Sequence, residues 1–294
     1  MTHKAGYVNI IGNPNVGKST LMNVLVGEKL SIITSKAQTT RHRILGIVNS
    51  DDYQIIFSDT PGIINKPAYK MHEVMNSYVN LALIDADLIM FVVDVTEKSE
   101  YEETISKIRN ADVPIFVILN KIDLSSQTEV AAMILNWEQT LPGAKVFPVS
   151  ASLSFNTAGL LDRILEILPE SPPYFPKDEL TDKSTRFFVT EIIREKILIN
   201  YKQEIPYSVE VAVEAYEESE KLVRIQATIY ASRDSQKAII IGKFGSAIKR
   251  VGTTARIDIE AFIGKKVFLE LNVKVNKDWR DNDNSLKRFG YEAY

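Results

Sequence analysis

A glycine-bounded run ending in lysine and serine, Gly12-Asn13-Pro14-Asn15-Val16-Gly17-Lys18-Ser19, carries the plainest chemistry in this 294-residue chain. The spacing is G-x-x-x-x-G-K-[ST], after a β-rich run and at the start of an amphipathic helical pattern. Gly12 and Gly17 let backbone N–H groups curl around phosphate oxygens. Lys18 then reaches the outer phosphates, and the Ser19 hydroxyl, with Thr20 beside it, can ligate Mg²⁺. Such a loop serves ATPases, kinases and GTPases alike, so other segments must decide the base. Asp59-Thr60-Pro61-Gly62 follows the apolar run QIIFS, placing a carboxylate for the Mg²⁺ shell and the Gly62 N–H toward a γ-phosphate. Asn120-Lys121-Ile122-Asp123 follows IFVIL, and Ser150-Ala151-Ser152 follows KVFPV. Asp123 can accept hydrogen bonds from guanine N1–H and the 2-amino group. Adenine lacks both donors and would leave the carboxylate unpaired, so GTP and GDP are the expected ligands. The Ala151 N–H is placed to serve guanine O6.

These segments need strands that end beside one another. Arg43 to Val48, Tyr53 to Ser58, Tyr7 to Ile11, Leu88 to Asp94, Pro114 to Leu119 and Lys145 to Val149 read as strands. Tyr69–Leu83, Glu97–Asn110, Gln127–Thr140 and Thr157–Leu168 read as covering helices. The rhythm is that of an α/β domain with a mostly parallel sheet and helices on both faces. The turn signal NSDD between the first two strands makes one edge strand antiparallel. Each phosphate or base segment then falls at a strand's C-terminal end, where such sheets bind ligands.

Four prolines between Pro169 and Pro176 interrupt helix and strand alike and predict an extended connector. The expected division is 1–170, a connector over 171–186, and a second domain over 187–294. There the order is helix, strand, strand, helix, helix, strand. The strands alternate cleanly, with Val209, Val211 and Val213 on one face, then Val223, Ile225 and Ile229, then Val267, Leu269 and Leu271. A three-stranded sheet with helices on one face buries those residues and makes an α+β domain. Net charge is −3 overall, yet residues 221–277 hold twelve basic against four acidic groups, a pointer to a polyanion.

The chain has no Cys, which excludes disulfide frameworks, Cys-ligated metals and thiol nucleophiles, and its three His are scattered. The longest apolar run, Leu88 to Val93, is far short of the ~20 residues that span a bilayer, and no secretory leader is evident at the N-terminus. A soluble cytoplasmic protein is expected.

GNPNVGKSTLMN, KAQTTRHRILGI, DTPG, NKID, SAS, TEIIREKI, PYSVEV and GKFG together resemble the Era family within the translation-factor-related GTPases, across nearly the whole chain. The resemblance implies a P-loop GTPase domain followed by a type II KH domain, with GTP hydrolysis dependent on Mg²⁺. It places a first switch around Ser35 to Arg43, with Thr40 preferred over Thr39 as the γ-phosphate-sensing Mg²⁺ ligand beside Ser19 and Asp59. Lys18, Thr40, Asp59 and Gly62 are then the catalytic set. Relatives with Asn at the position of Asn15 can use K⁺ beside the phosphates, which makes K⁺ a further expected cofactor. Ile63 stands where Ras-like enzymes carry a water-orienting Gln, so intrinsic hydrolysis should be slow. Arg41 and Arg43 read as solvated switch charges, not as arginine fingers.

GKFG, Gly242 to Gly245, resembles the GxxG loop of KH domains. Its glycines allow close backbone approach, while Lys243, Lys249 and Arg250, with Phe244 and Ser246 beside them, would meet about four nucleotides of single-stranded RNA. The resemblance names that RNA as the 3′ end of small-subunit ribosomal RNA, the wider partner as the small ribosomal subunit, and adds peripheral contact with the inner face of the cell membrane. Monomer is the default. The competing readings are a membrane-signalling GTPase with a lipid-binding basic domain, a P-loop kinase or ATPase, and an RNA-binding protein with a vestigial nucleotide site. Trp279 and the tail DNDNSLKRFGY are expected to cap the second sheet.

Overall fold

A computed structural model of the chain describes residues 3–97 and 101–292. They form two compact units, residues 3–66 with 74–182, and residues 67–73 with 183–292.

The first unit is built on six strands: β1 (Lys4–Ile11), β2 (Ile44–Asn49), β3 (Tyr53–Asp59), β4 (Leu88–Asp94), β5 (Ile115–Asn120) and β6 (Lys145–Pro148). Their order across the sheet is β2-β3-β1-β4-β5-β6, and every pair is parallel except β2 with β3. This is the expected mixed sheet with an antiparallel edge. All seven residues of β4 are buried, as a strand covered on both faces requires. Its helices are α1 (Lys18–Val26), α2 (Lys70–Ile84, in this unit from Val74 onward), α3 (Glu102–Arg109), α4 (Gln127–Thr140) and α5 (Thr157–Ile167). The helix expected from Glu97 begins at Glu102; Lys98, Ser99 and Glu100 lie outside the described residues. Chain order reverses at β1, which has β3 on one side and β4 on the other, so a crevice opens beyond its C-terminal end.

The proline-rich segment forms neither helix nor strand from Ser171 onward, but bends and turns, and through Asp182 it is no free connector. It lies along the open edge of the sheet. Ile47 N–H donates to Leu180 O at 2.8 Å and Leu45 N–H to Asp182 Oδ1 at 3.0 Å. Asn49 Nδ2 donates to Glu179 O, and Lys177 Nζ bridges the carbonyls of Ser50 and Asp51. Gln54, fully buried, ties the strap down with its whole amide. Its Oε1 accepts from Tyr174 N and Phe175 N at 2.7 and 3.0 Å, and its Nε2 donates to Phe175 O and Asn49 Oδ1. A buried amide with every hydrogen-bonding group paired fixes the strap in one register.

The second unit runs α6 (Thr185–Asn200), α7 (Ile205–Ser208), β7 (Val209–Glu218), β8 (Leu222–Ala231), α8 (Asp234–Ile241), α9 (Ser246–Ile263), β9 (Lys266–Val275) and α10 (Asp283–Arg288). The first helix starts at Thr185, where the Ser184 side chain accepts from Phe187 N–H. The sheet order is β7-β8-β9, antiparallel then parallel. Val189, Ile193 and Ile197 of α6 and Val251, Ala255 and Ile259 of α9 share one core with Val211, Ile225, Ile229 and Val267. The tail caps the sheet as expected: Trp279 is fully buried and donates to Ser208 O at 3.1 Å, while Tyr291 Oη donates to Glu210 Oε2 at 2.6 Å. Among the described residues no helix is long and apolar enough to cross a membrane.

Candidate functional site

β1 delivers the chain to Gly12, where φ is +155° and a side chain would strike the Val92 carbonyl of β4. Asn15 (φ +65°) and Gly17 (φ +98°) complete the reversal, and α1 begins at Lys18 with no side chain capping its first N–H groups. A Cβ at Gly17 would collide with the Asn120 amide, so only glycine fits between loop and strand β5. Lys18 is buried and its ammonium donates to Gly12 O and Asn13 O at 3.0 and 2.8 Å. A cavity of about 490 Å³ opens above the loop, lined by Asn15, Lys18, Ser19, Thr40, Gly62 and Lys121 among others.

Three oxygen ligands meet at its floor. Ser19 Oγ donates to Asp59 Oδ2 at 2.7 Å, Thr40 Oγ1 is 3.3 Å from the same oxygen, and the two hydroxyls are 2.9 Å apart. Asp59 Oδ1 is buried and finds no hydrogen-bond partner among the described residues. Burial pushes the Asp59 pKa up, against the Ser19 hydrogen bond and the Lys18 charge. An orphaned carboxylate oxygen beside two hydroxyls is a donor set for a hard divalent cation, and Ser19, Thr40 and Asp59 fit Mg²⁺. Bound there, the cation would supply positive charge against the phosphates. Thr39, the other candidate, points away: its Oγ1 lies 2.7 Å from Thr34 Oγ1 and donates to Lys36 O.

At the base end Asn120 is a cross-brace. Its Nδ2 donates to Val16 O at 2.9 Å and its Oδ1 accepts from Ala151 N–H at 3.0 Å. The Ala151 N–H, expected at guanine O6, is therefore already engaged and can reach O6 only as a shared donor. Lys121 (φ +66°) donates to Asn15 O at 2.9 Å and pairs with Asp94 Oδ2 at 2.5 Å. Burial raises the Asp94 pKa, but the Lys121 and Thr96 hydrogen bonds outweigh it and hold the carboxyl below its ordinary value. Asp94 was not singled out from the sequence, where it is simply the last residue of an apolar strand. Asp123 is exposed, as a base-reading carboxylate must be, and Ser150 and Ser152 flank Ala151 with their hydroxyls 3.3 Å apart.

The switch arginines depart from expectation. Arg41 is fully buried, and Arg43 is partly buried, with 12% of its side chain exposed. Arg43 donates to Ser58 Oγ at 2.7 Å, to both Asp85 oxygens at 2.6 and 3.0 Å, and approaches Asn9 Oδ1 at 3.3 Å. Neither is a solvated charge. Arg43 joins β2 to the end of α2 across 42 positions of sequence, a separation that no local pattern reveals.

In the second unit, Gly242 (φ +72°) would drive a Cβ into Ala247, whereas Gly245 (φ +72°) faces open space. Phe244, between them, also has positive φ and is 95% exposed. Lys243, Ser246, Lys249 and Arg250 are exposed, and α9 starts without a side-chain cap. Beside the loop a groove of about 280 Å³ runs between α9 and β9, with Ile248, Gly252, Leu269 and Leu271 as its apolar lining and Lys249 and Arg256 as its charges.

A family model described as "50S ribosome-binding GTPase" matches residues 7–121, and one described as "KH domain" matches residues 204–280. Two solved structures match nearly end to end. One is Era in complex with MgGDPNP and nucleotides 1506–1542 of 16S ribosomal RNA, and the other is a variant of Aquifex aeolicus Era bound to GDP·AlF4⁻. Each is 38% identical with a TM-score of 0.94, and each match covers 98% of this chain and 99% of that chain. The chain belongs to the Era family of GTPases.

One prediction about this Era-family site follows from its lysine. Burial holds the Lys18 ammonium down at about 8. Phosphate charge beside it favours protonation, so the bound complex keeps the proton to higher pH. GDP affinity should be flat below pH 7, where the lysine is charged in free and bound protein alike. It should fall toward tenfold per unit as pH rises past about 8. Titration of a fluorescent GDP from pH 6 to 9.5 measures this, and a flat profile across the range would refute it.

Proposed function

We propose that this Era-family chain is a GTP-hydrolysing switch whose KH-type unit engages the 3′ end of small-subunit ribosomal RNA during assembly of the small ribosomal subunit in the cytoplasm. The observation that carries the reading is one chain holding both a cavity over the phosphate-type loop, with Ser19, Thr40 and Asp59 gathered at its floor, and an exposed GKFG loop beside a basic-rimmed groove. The relative crystallised with a GTP analogue and a 16S ribosomal RNA fragment supports the pairing of those ligands. GTP with Mg²⁺ orders the loops after Glu28 and after Asp59, and the ordered state favours RNA; hydrolysis resets it. On the RNA side, Gly242 and Gly245 admit the backbone, while Lys243, Lys249, Arg250 and the first N–H groups of α9, at Ser246, meet phosphates. Phe244 presents an aromatic face to a base. The protein acts as a monomer.

Fluorescence anisotropy with a 3′-end oligonucleotide should show tighter binding with a GTP analogue than with GDP, and sequence preference that survives added salt. Equal affinity in both nucleotide states removes the coupling. Sequence-blind, steeply salt-sensitive binding reduces the KH loop to a generic basic surface and favours anionic membrane as its partner.

Turnover itself is slow, because Ile63 is buried and Ile64 is apolar where a water-orienting amide would stand. A monovalent cation near Asn15, whose amide sits 3.3 Å from the Ser35 carbonyl, supplies the missing positive charge. GTP hydrolysis should run several-fold faster in KCl than in NaCl at equal ionic strength. Equal rates in the two salts dispose of the cation.

A further inference from the structure

The segment after Asp59 is anchored at successive residues. Thr60 Oγ1 donates to Ile10 O at 2.8 Å, fully buried. Gly62 packs so closely on Pro14 of the phosphate loop that no Cβ fits. Ile63 enters the core beside Ile11, Val79 and Phe91. Ile64, half-buried at the edge of that core, is held by one side chain on α2. Its N–H donates to Asn76 Oδ1 at 3.1 Å, and its carbonyl accepts from Asn76 Nδ2 at 2.9 Å.

One amide thus serves both main-chain groups of one residue, as a neighbouring strand would. The amide's orientation is fixed, because the Ile64 N–H can only donate and its carbonyl can only accept. Asn76 stands on a packed stretch of that helix, where Met75 and Val79 are buried.

We propose that Asn76 is a positioning residue for the γ-phosphate. By clamping Ile64 it sets where the main chain of Gly62, two residues earlier, presents its N–H, and so it contributes to the distinction between GTP and GDP without touching either. The proposal rests on the GTPase reading of this site, in which Gly62 faces the γ-phosphate. GDP reaches the phosphate loop and the base segments but offers nothing at Gly62. Loss of the clamp therefore penalises the triphosphate alone, since a Gly62 main chain held only from Thr60 and Ile63 is less well placed and must be fixed again each time GTP binds.

The test uses the full chain with Asn76→Leu, which removes both hydrogen bonds at similar volume, and Asn76→Asp, which keeps the acceptor but sets a carboxylate against the Ile64 carbonyl. The nearby Ser77→Ala, whose hydroxyl serves only Val74 O, is the control. Fluorescent GDP, a fluorescent non-hydrolysable GTP analogue and single-turnover hydrolysis are the readouts. Two net hydrogen bonds correspond to about a tenfold change. The ratio of analogue affinity to GDP affinity should fall by roughly that factor in both Asn76 variants, with slower hydrolysis and unchanged GDP binding. Ser77→Ala should match the parent. Parallel losses for GDP and analogue, or an unchanged ratio, overturn the proposal in favour of a merely structural amide. If Asn76→Leu does not fold, Asn76→Asp decides alone. A parent protein that bound neither nucleotide would instead refute the GTPase reading.

Discussion

Asp123→Asn should cost roughly 10⁴ in GTP and GDP affinity and make the protein prefer xanthosine nucleotides. The carboxylate can accept from guanine N1–H and the 2-amino group, and it stands exposed on the short turn Ile122–Leu124, directly after Lys121. An asparagine there keeps one acceptor for N1–H but turns its NH₂ toward the 2-amino group, so two donors meet and neither is paired in the bound state. Xanthine carries a carbonyl at position 2, which that NH₂ can satisfy. The phosphate loop is untouched, because its braces come from Asn120 and Lys121, so the variant should keep its fold and its Mg²⁺ requirement. Displacement of a fluorescent nucleotide by GDP, ADP and xanthosine diphosphate reads the switch. Undiminished GDP affinity would mean the base is read elsewhere.

Gly62→Ala should lower hydrolysis by about 10²-fold while leaving GDP affinity within a few-fold of the parent. A Cβ at Gly62 would lie 2.7 Å from Pro14 N and Cγ and 2.8 Å from Pro14 Cα, inside any tolerated contact with backbone. One side must yield. The phosphate loop is pinned by Lys18 to Asn13 O, by Lys121 to Asn15 O and by Asn120 to Val16 O. The segment after Asp59 therefore moves, and it carries the Gly62 N–H away from the phosphate. GDP binding does not need that N–H, so the loss concentrates in turnover. Single-turnover hydrolysis beside GDP affinity separates the two, and equal losses in both would place the damage in the loop itself.

The placing of the proposed nucleotide segments at strand ends is legible in the sequence because each is local: a few residues that follow an apolar strand within one turn. The antiparallel β2 was legible for the same reason, through the turn signal at its end. What escaped depends on partners distant in sequence. Arg43 looked like one more switch charge, and only the fold brings Asp85 and Asn9 to it. Between Thr39 and Thr40, chemically identical neighbours, only the resemblance prefers Thr40, and the loop's path aims Thr40 at Asp59 and Thr39 at Thr34. Prolines announced an extended segment at 169–176, but the buried Gln54 that holds it lies 120 positions away. Its polar side chain in an apolar strand was the available signal, since a buried amide must find partners somewhere.

That strap sets an order on synthesis. β2 and β3 leave the ribosome early, yet the N–H groups of Leu45 and Ile47 find their partners only at Asp182 and Leu180. Until then the nascent domain carries an adhesive rim, the kind of unpaired edge that recruits strands from other chains. A fragment cut after residue 170 would keep every nucleotide-binding residue and still be born with that rim permanently open. The last stretch of the first unit to be made is thus the one that covers the edge of its sheet.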